Sequence, residues 1–131
     1  MTINVAMLVL SLALLLLFQL IQAAQLNGVA GLPYTLSARD KPVDVGLMGG
    51  RLQRAKVNLI ENLMLFAPVS VLAETTHASP QTVTLGAIIF FVARVIHAIT
   101  YLAGVAVIRT LAWLAGVIGS VMIALAVLGW A

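Results

Sequence analysis

The first 38 residues carry no Asp, Glu, Lys or Arg, and from Ile3 to about Gln25 they form one apolar run that includes Leu12-Ala13-Leu14-Leu15-Leu16-Leu17-Phe18. A transmembrane helix needs about 20 mostly apolar residues, so this stretch predicts a membrane span. The whole chain agrees: of 131 residues, 63% are hydrophobic and only 8% charged, with a mean hydropathy of +1.14. Soluble domains carry about a quarter charged residues, and apolar surface on this scale would drive association in water. No Lys or Arg precedes the run. The run also exceeds the roughly 7–15-residue core of a cleaved signal peptide, so it reads as a retained helix.

Three further apolar segments follow. Residues 26–50 hold Gly28, Gly31, Pro33, Pro42, Gly46, Gly49 and Gly50, a breaker density that predicts a turn-rich loop. A second helix is expected from about Gly50 to Thr75, a third from about Val83 to Val107 and a fourth from Leu111 to Trp130, with Arg109 in the third link. The expected fold is a single all-α domain over residues 1–131, an integral membrane four-helix bundle. Pro68 predicts a kink in the second helix. In the fourth, Ala112, Gly116, Ser120 and Ala124 recur every four residues, the spacing that lets helices approach closely in lipid.

The charges also orient the bundle. Arg39, Lys41, Arg51, Arg54 and Lys56 lie in or beside the first loop and Arg109 in the third link, whereas the second link has Glu74 and His77 but no Lys or Arg. Lys and Arg concentrate in cytoplasmic loops, which puts both termini on the non-cytoplasmic side. A pI near 10.0 rests on a net excess of three charges without a basic run. It reads as membrane topology, with lipids rather than nucleic acid as partners.

Inside the expected spans the polar residues fall on two narrow stripes. At about 100° per residue, Arg51, Arg54, Asn58 and Glu61 share an arc of roughly 80° on the second helix, with Lys56 pointing away. Arg94, His97 and Tyr101 share roughly 60° on the third. An ionisable group at membrane depth costs on the order of 2.5–3.5 kcal/mol by insertion scales, so both stripes are expected to face protein or water. They can pair only with each other, Glu61 against Arg54 or Arg94, and serve assembly. Alternatively they bind a ligand: three arginines and one carboxylate, with Arg109 at the same end, suit a zwitterion carrying extra carboxylates. No cysteine is present, and His97 has no second ligand at metal spacing, so thiolate chemistry within the chain and a metal site are not expected.

The run from Arg51 to Asn62, with its R-x-x-R-A-x-x-N-x-x-E pattern, resembles the second-helix signature of the MAPEG family, the membrane-associated proteins in eicosanoid and glutathione metabolism. Arg94-Val95-Ile96-His97 and Tyr101, followed by Arg109, are similar to that family's third-helix pattern and downstream arginine. The resemblance implies a homotrimer that binds glutathione as co-substrate between subunits. It implies that Glu61 holds the α-amino group with Asn58 and Arg54 beside it, that His97, Tyr101 and Thr110 complete the binding site, and that Arg109 is catalytic and stabilises the thiolate; the helical stripes add Arg51 and Arg94 to the expected binding residues. The chain departs from that family's pattern at Val57, where several members have Arg, and at Trp113, where others have Tyr.

Two functions follow as expectations. One is a membrane glutathione (thiol) transferase or peroxidase-like protein acting on hydrophobic electrophiles or lipid peroxides. The other is a non-catalytic membrane component whose polar residues serve trimer assembly or bind lipid headgroups or anions. A small multidrug exporter would need an acid in the first helix, which has none.

Overall fold

The computed structural model describes residues 1–130 as four helices: α1 (Ile3–Thr35), α2 (Gly46–Thr75), α3 (Pro80–Ala103) and α4 (Ala106–Val127). All four are long and apolar enough to cross a membrane. The chain is an all-α, multi-pass integral membrane protein.

Helix boundaries differ from the sequence expectation at several places, for local reasons. α1 continues past Gln25 to Thr35, because the breakers bend it instead of ending it: Gly31 takes φ 81 and ψ 163. Pro33 then falls in the first turn after the break, where a missing N–H costs little. The loop therefore shrinks to residues 36–45. α3 starts on Pro80, a favoured first helical residue, and stops at Ala103 because Gly104 adopts the left-handed conformation, with its own N–H and that of Val105 bonded to Tyr101 and Thr100 carbonyls. Hydropathy alone extends the third helix to about Val107, across this stop. Arg109 consequently sits in the first turn of α4, not in a link. α4 in turn ends at Val127, before left-handed Gly129. α2 runs unbroken through Pro68.

At 1.5 Å per residue, α1 and α2 are about 50 Å and about 45 Å long, well over the roughly 30 Å hydrocarbon core. The apolar start of α1 lies against the apolar end of α2, which puts the polar residues of both helices toward the opposite end of the bundle.

Packing explains which faces meet. α3 and α4 make the most intimate contact, at Gly86 and Gly119. A Cβ on either glycine would fall 2.7 Å or 2.6 Å from the other's carbonyl oxygen. The small-residue face of α4 is thus real but centred on Ala112, Gly116, Gly119, Ser120 and Ile123, all buried, with Ala124 at its edge. Between α2 and α3, Phe66 and Phe90 stack with ring centroids 3.8 Å apart. α1 packs on α2 and α3 and, among the described residues, not on α4. Leu16, Leu65, Ile99 and Leu111 are exposed, as expected of side chains that face lipid.

The end of the bundle remote from the polar stripes is closed by a clasp. Asn4, fully buried, donates to the Ser70 carbonyl at 2.9 Å and to Glu74 Oε1 at 2.7 Å, and accepts from Ser70 Oγ at 2.7 Å. Thr2 caps α1 through the Val5 N–H and donates to the same carboxylate oxygen. These bonds fix the start of α1 against the end of α2.

Candidate functional site

Neighbouring turns of α2, α3 and α4 bring Asn58, His97, Tyr101, Arg109, Thr110 and Trp113 around one cavity of about 290 Å³. Helical spacing places them there. His97 and Tyr101 are four residues apart on α3, so their rings share one face, tilted 54° to each other with centroids 5.5 Å apart. Arg109, in the first turn of α4, lays its guanidinium carbon 4.9 Å from the Tyr101 centroid. That is a cation–π distance. It holds the charge at the cavity wall without spending the guanidinium's hydrogen-bond donors. Thr110 donates to the Ala106 carbonyl at 3.0 Å, which leaves its oxygen lone pairs free to accept.

Arg94 lies behind this wall, only 2% exposed. It donates to Asn58 Oδ1 at 3.2 Å, to the Ala112 carbonyl at 3.2 Å and to the Trp113 carbonyl at 2.9 Å, while its Nε has no partner among the described residues. Its guanidinium carbon is 5.5 Å from the Phe90 ring. All its acceptors are neutral, so the anticipated pairing of Glu61 with Arg94 is replaced by a pairing with Asn58. Asn62, which the sequence reading left unassigned, donates to the Asn58 carbonyl at 2.8 Å.

The remaining stripe residues of α2 do not reach the cavity. Arg51 donates to the Leu102 carbonyl at 2.9 Å in the last turn of α3, where a cation suits the exposed carbonyls. Gly104 makes room for it, since a Cβ there would lie 2.6 Å from Arg51 Nη2. Arg54 and Glu61 are exposed on the outer face of α2, with the Arg54 guanidinium folded toward Gly50. In this single chain, then, Asn58, His97, Tyr101, Arg109 and Thr110 converge, Arg94 touches one of them, and Arg51, Arg54 and Glu61 stand apart.

A second polar cavity, of about 470 Å³, lies between α1 and α2 at the same end, lined by Gln19, Gln22, Gln25, Arg39, Gln53 and Lys56 among others. Lys56 donates to Gln22, which donates to Gln53, and Gln25 reaches the Val45 carbonyl at 3.3 Å. The sequence signal for it was available. Three glutamines spaced by three residues on a helix without charges mark a polar face, and Lys56 points away from the α2 stripe because it belongs to this side.

Open on one side, the first cavity can accept an anionic or zwitterionic ligand on Arg109 and on the Asn58 amide, and its aromatic walls admit an apolar group beside them. No individual curated protein matches the sequence. The sequence matches the family model for the MAPEG family over residues 4–129, a span that takes in all four helices but for Ile3 and holds every residue of the cavity, and the chain belongs to the MAPEG family.

Proposed function

We propose that this protein is a membrane glutathione (thiol) transferase or peroxidase-like enzyme that works as a homotrimer on hydrophobic electrophiles or lipid peroxides. The observation that carries the proposal is the convergence of Asn58, His97, Tyr101, Arg109 and Thr110, drawn from three helices, on one cavity. Arg109 is the group placed to act on sulfur. A guanidinium beside a thiol favours the thiolate, which is the nucleophile. In the transferase reaction the sulfur forms a bond to an electrophilic carbon, the leaving group departs with the bonding pair, and the thiol proton passes to water. In the peroxidase reaction the thiolate breaks the O–O bond of a peroxide, and a second glutathione completes the disulfide as alcohol and water form.

The size of the cavity supports the trimer. Small-molecule sites run from about 300 to 1,000 Å³, so about 290 Å³ with one open side is at the bottom of that range and leaves room for a neighbouring subunit to supply a further wall. The exposed Glu61 and Arg54 beside it gain a role when a neighbouring subunit covers them. The glutamine-rich cavity with Arg39 and Lys56 supplies further cations that a neighbour can present to a ligand carboxylate. The charge asymmetry favours a cytoplasmic position for this end, with both termini on the other side. Conjugation of glutathione to a chlorodinitrobenzene-type electrophile by the purified protein tests the proposal. Activity that falls in Arg109→Ala supports it, and an inactive parent that also shows no glutathione binding in calorimetry sinks it.

The exposed carboxylate of Glu61 also favours a second reading, a non-catalytic component whose stripe residues serve assembly. It predicts that Glu61→Gln weakens the oligomer with no ligand present. A Glu61→Gln protein with an unchanged oligomer and no glutathione binding would leave that reading without support.

A further inference from the structure

The structure gives Arg94 no carboxylate, no opening to solvent and no place on the cavity wall, yet it buries a full guanidinium there. Its contacts suggest why. Asn58 Oδ1 receives Arg94 Nη1 at 3.2 Å and lies 3.4 Å from Asn62 Nδ2. An arginine can only donate, so the amide oxygen of Asn58 must face it whichever way the amide is first drawn. The Asn58 NH2 group is then turned away from Arg94, and Asn58 is one of the six residues lining the cavity.

α4 fixes the other side of the guanidinium. The Ala112 and Trp113 carbonyls both accept from Nη2. Gly116 leaves the space the head group fills: a Cβ there would stand 2.2 Å from Nη2, 2.7 Å from Nε and 2.8 Å from Cζ. Arg94 is thus gripped by α4 and in turn grips α2 through one side-chain amide.

We propose that Arg94 is a positioning residue: by clamping Asn58 Oδ1 it holds the Asn58 NH2 in the cavity as a fixed donor to an anionic or carbonyl oxygen of the thiol co-substrate. This rests on the glutathione reading above and deepens it. A donor oriented before the ligand arrives loses little freedom on binding, and the buried charge behind it strengthens the donor by polarising the amide. The clamp also ties the cavity to the α3–α4 contact, since Gly116 and Gly119 lie on adjacent turns of the same face.

Asn58→Asp separates this role from a structural one. Aspartate still gives Arg94 an acceptor, now a charged one, but offers no donor to a ligand. Glutathione binding by calorimetry and thermal stability are measured on the purified parent, Asn58→Asp, Arg94→Lys and the double variant. The expected result is that Asn58→Asp binds glutathione at least tenfold more weakly with a melting temperature equal to or above the parent's. Arg94→Lys is expected to weaken binding several-fold in the parent background and to change it less than twofold in Asn58→Asp. Parent-like affinity in Asn58→Asp overturns the donor role, and a lowered melting temperature there overturns the clamp without reference to any ligand. If Arg94→Lys fails to fold, both of those outcomes are still read from Asn58→Asp alone. A parent that binds no glutathione counts against the proposed function itself, which is a different result from a parent that binds and an Asn58→Asp protein that binds equally well.

Discussion

A Cβ added to Gly116 on α4 would come within 2.2 Å of Nη2 of Arg94 on α3, so the glycine and the arginine occupy complementary space. Gly116→Ala must therefore displace a buried, triply bonded guanidinium. We expect a loss of about 1–3 kcal/mol, the range for overpacking a filled core, seen as a lower melting temperature in detergent. Gly28→Ala is the control. Its Cβ meets nothing within 4 Å on an exposed stretch of α1, so alanine there should be neutral or stabilising by up to about 1 kcal/mol.

The Gly86–Gly119 crossing predicts a matched pair. A methyl at either position runs into the facing carbonyl, at 2.7 Å or 2.6 Å, and at Gly119 also into the Phe90 backbone nitrogen at 2.9 Å. Backbone cannot move aside as a side chain can. Each alanine variant is expected to cost about 1–3 kcal/mol and to separate α3 from α4, which a shift in a cross-link or spin-label distance between the two helices would report. Full stability in both variants would show that the helices do not cross there.

Arg109 is held over Tyr101 at 4.9 Å by a contact that needs only the ring. Tyr101→Phe keeps the ring, so the placement of the guanidinium should survive. Tyr101→Ala removes it, and about 0.5–2 kcal/mol of cation–π attraction with it. Conjugation rates compared across parent, Phe and Ala variants test this. A phenylalanine variant as impaired as the alanine one would assign the role to the hydroxyl instead.

At the other end, Asn4 makes three bonds within the α1–α2 clasp. Asn4→Ala leaves the Ser70 hydroxyl and one Glu74 oxygen without that partner and should cost about 1–3 kcal/mol. Glu74→Gln keeps an acceptor for Asn4 and Thr2 and is expected to cost less. Hydrogen exchange at the start of α1 measures both, with faster exchange in Asn4→Ala than in Glu74→Gln. The reverse order would mean that the carboxylate charge, not the bonding pattern, secures the clasp.

The four spans were legible because hydropathy over some twenty residues reports burial in lipid directly. The two polar stripes were legible because helical periodicity converts spacing into faces. What escaped was set by single residues and by contacts between helices. Gly104 ends α3 through a left-handed φ of 81 that hydropathy does not register. Gly31 bends α1 where a run of breakers suggested a loop. The sequence also grouped Arg51 and Arg94 with the ligand residues by angle alone. In the fold Arg51 turns to the end of α3 and Arg94 turns inward to Asn58 and α4, because a helical wheel gives the direction of a Cα–Cβ bond and not the reach of a long side chain. The glutamine spacing marks a polar face on α1, but what that face meets, Gln53 and Lys56 of α2, is set by bringing two distant segments together.

The most direct measurement of the central claim is the ultraviolet thiolate absorbance of glutathione added to the purified protein near neutral pH, for the parent and for Arg109→Ala. The predicted result is a thiolate signal that saturates with glutathione in the parent and is lost in Arg109→Ala while binding persists. A parent that binds glutathione without ionising its thiol, or an Arg109→Ala protein with an undiminished signal, would contradict the role given to Arg109.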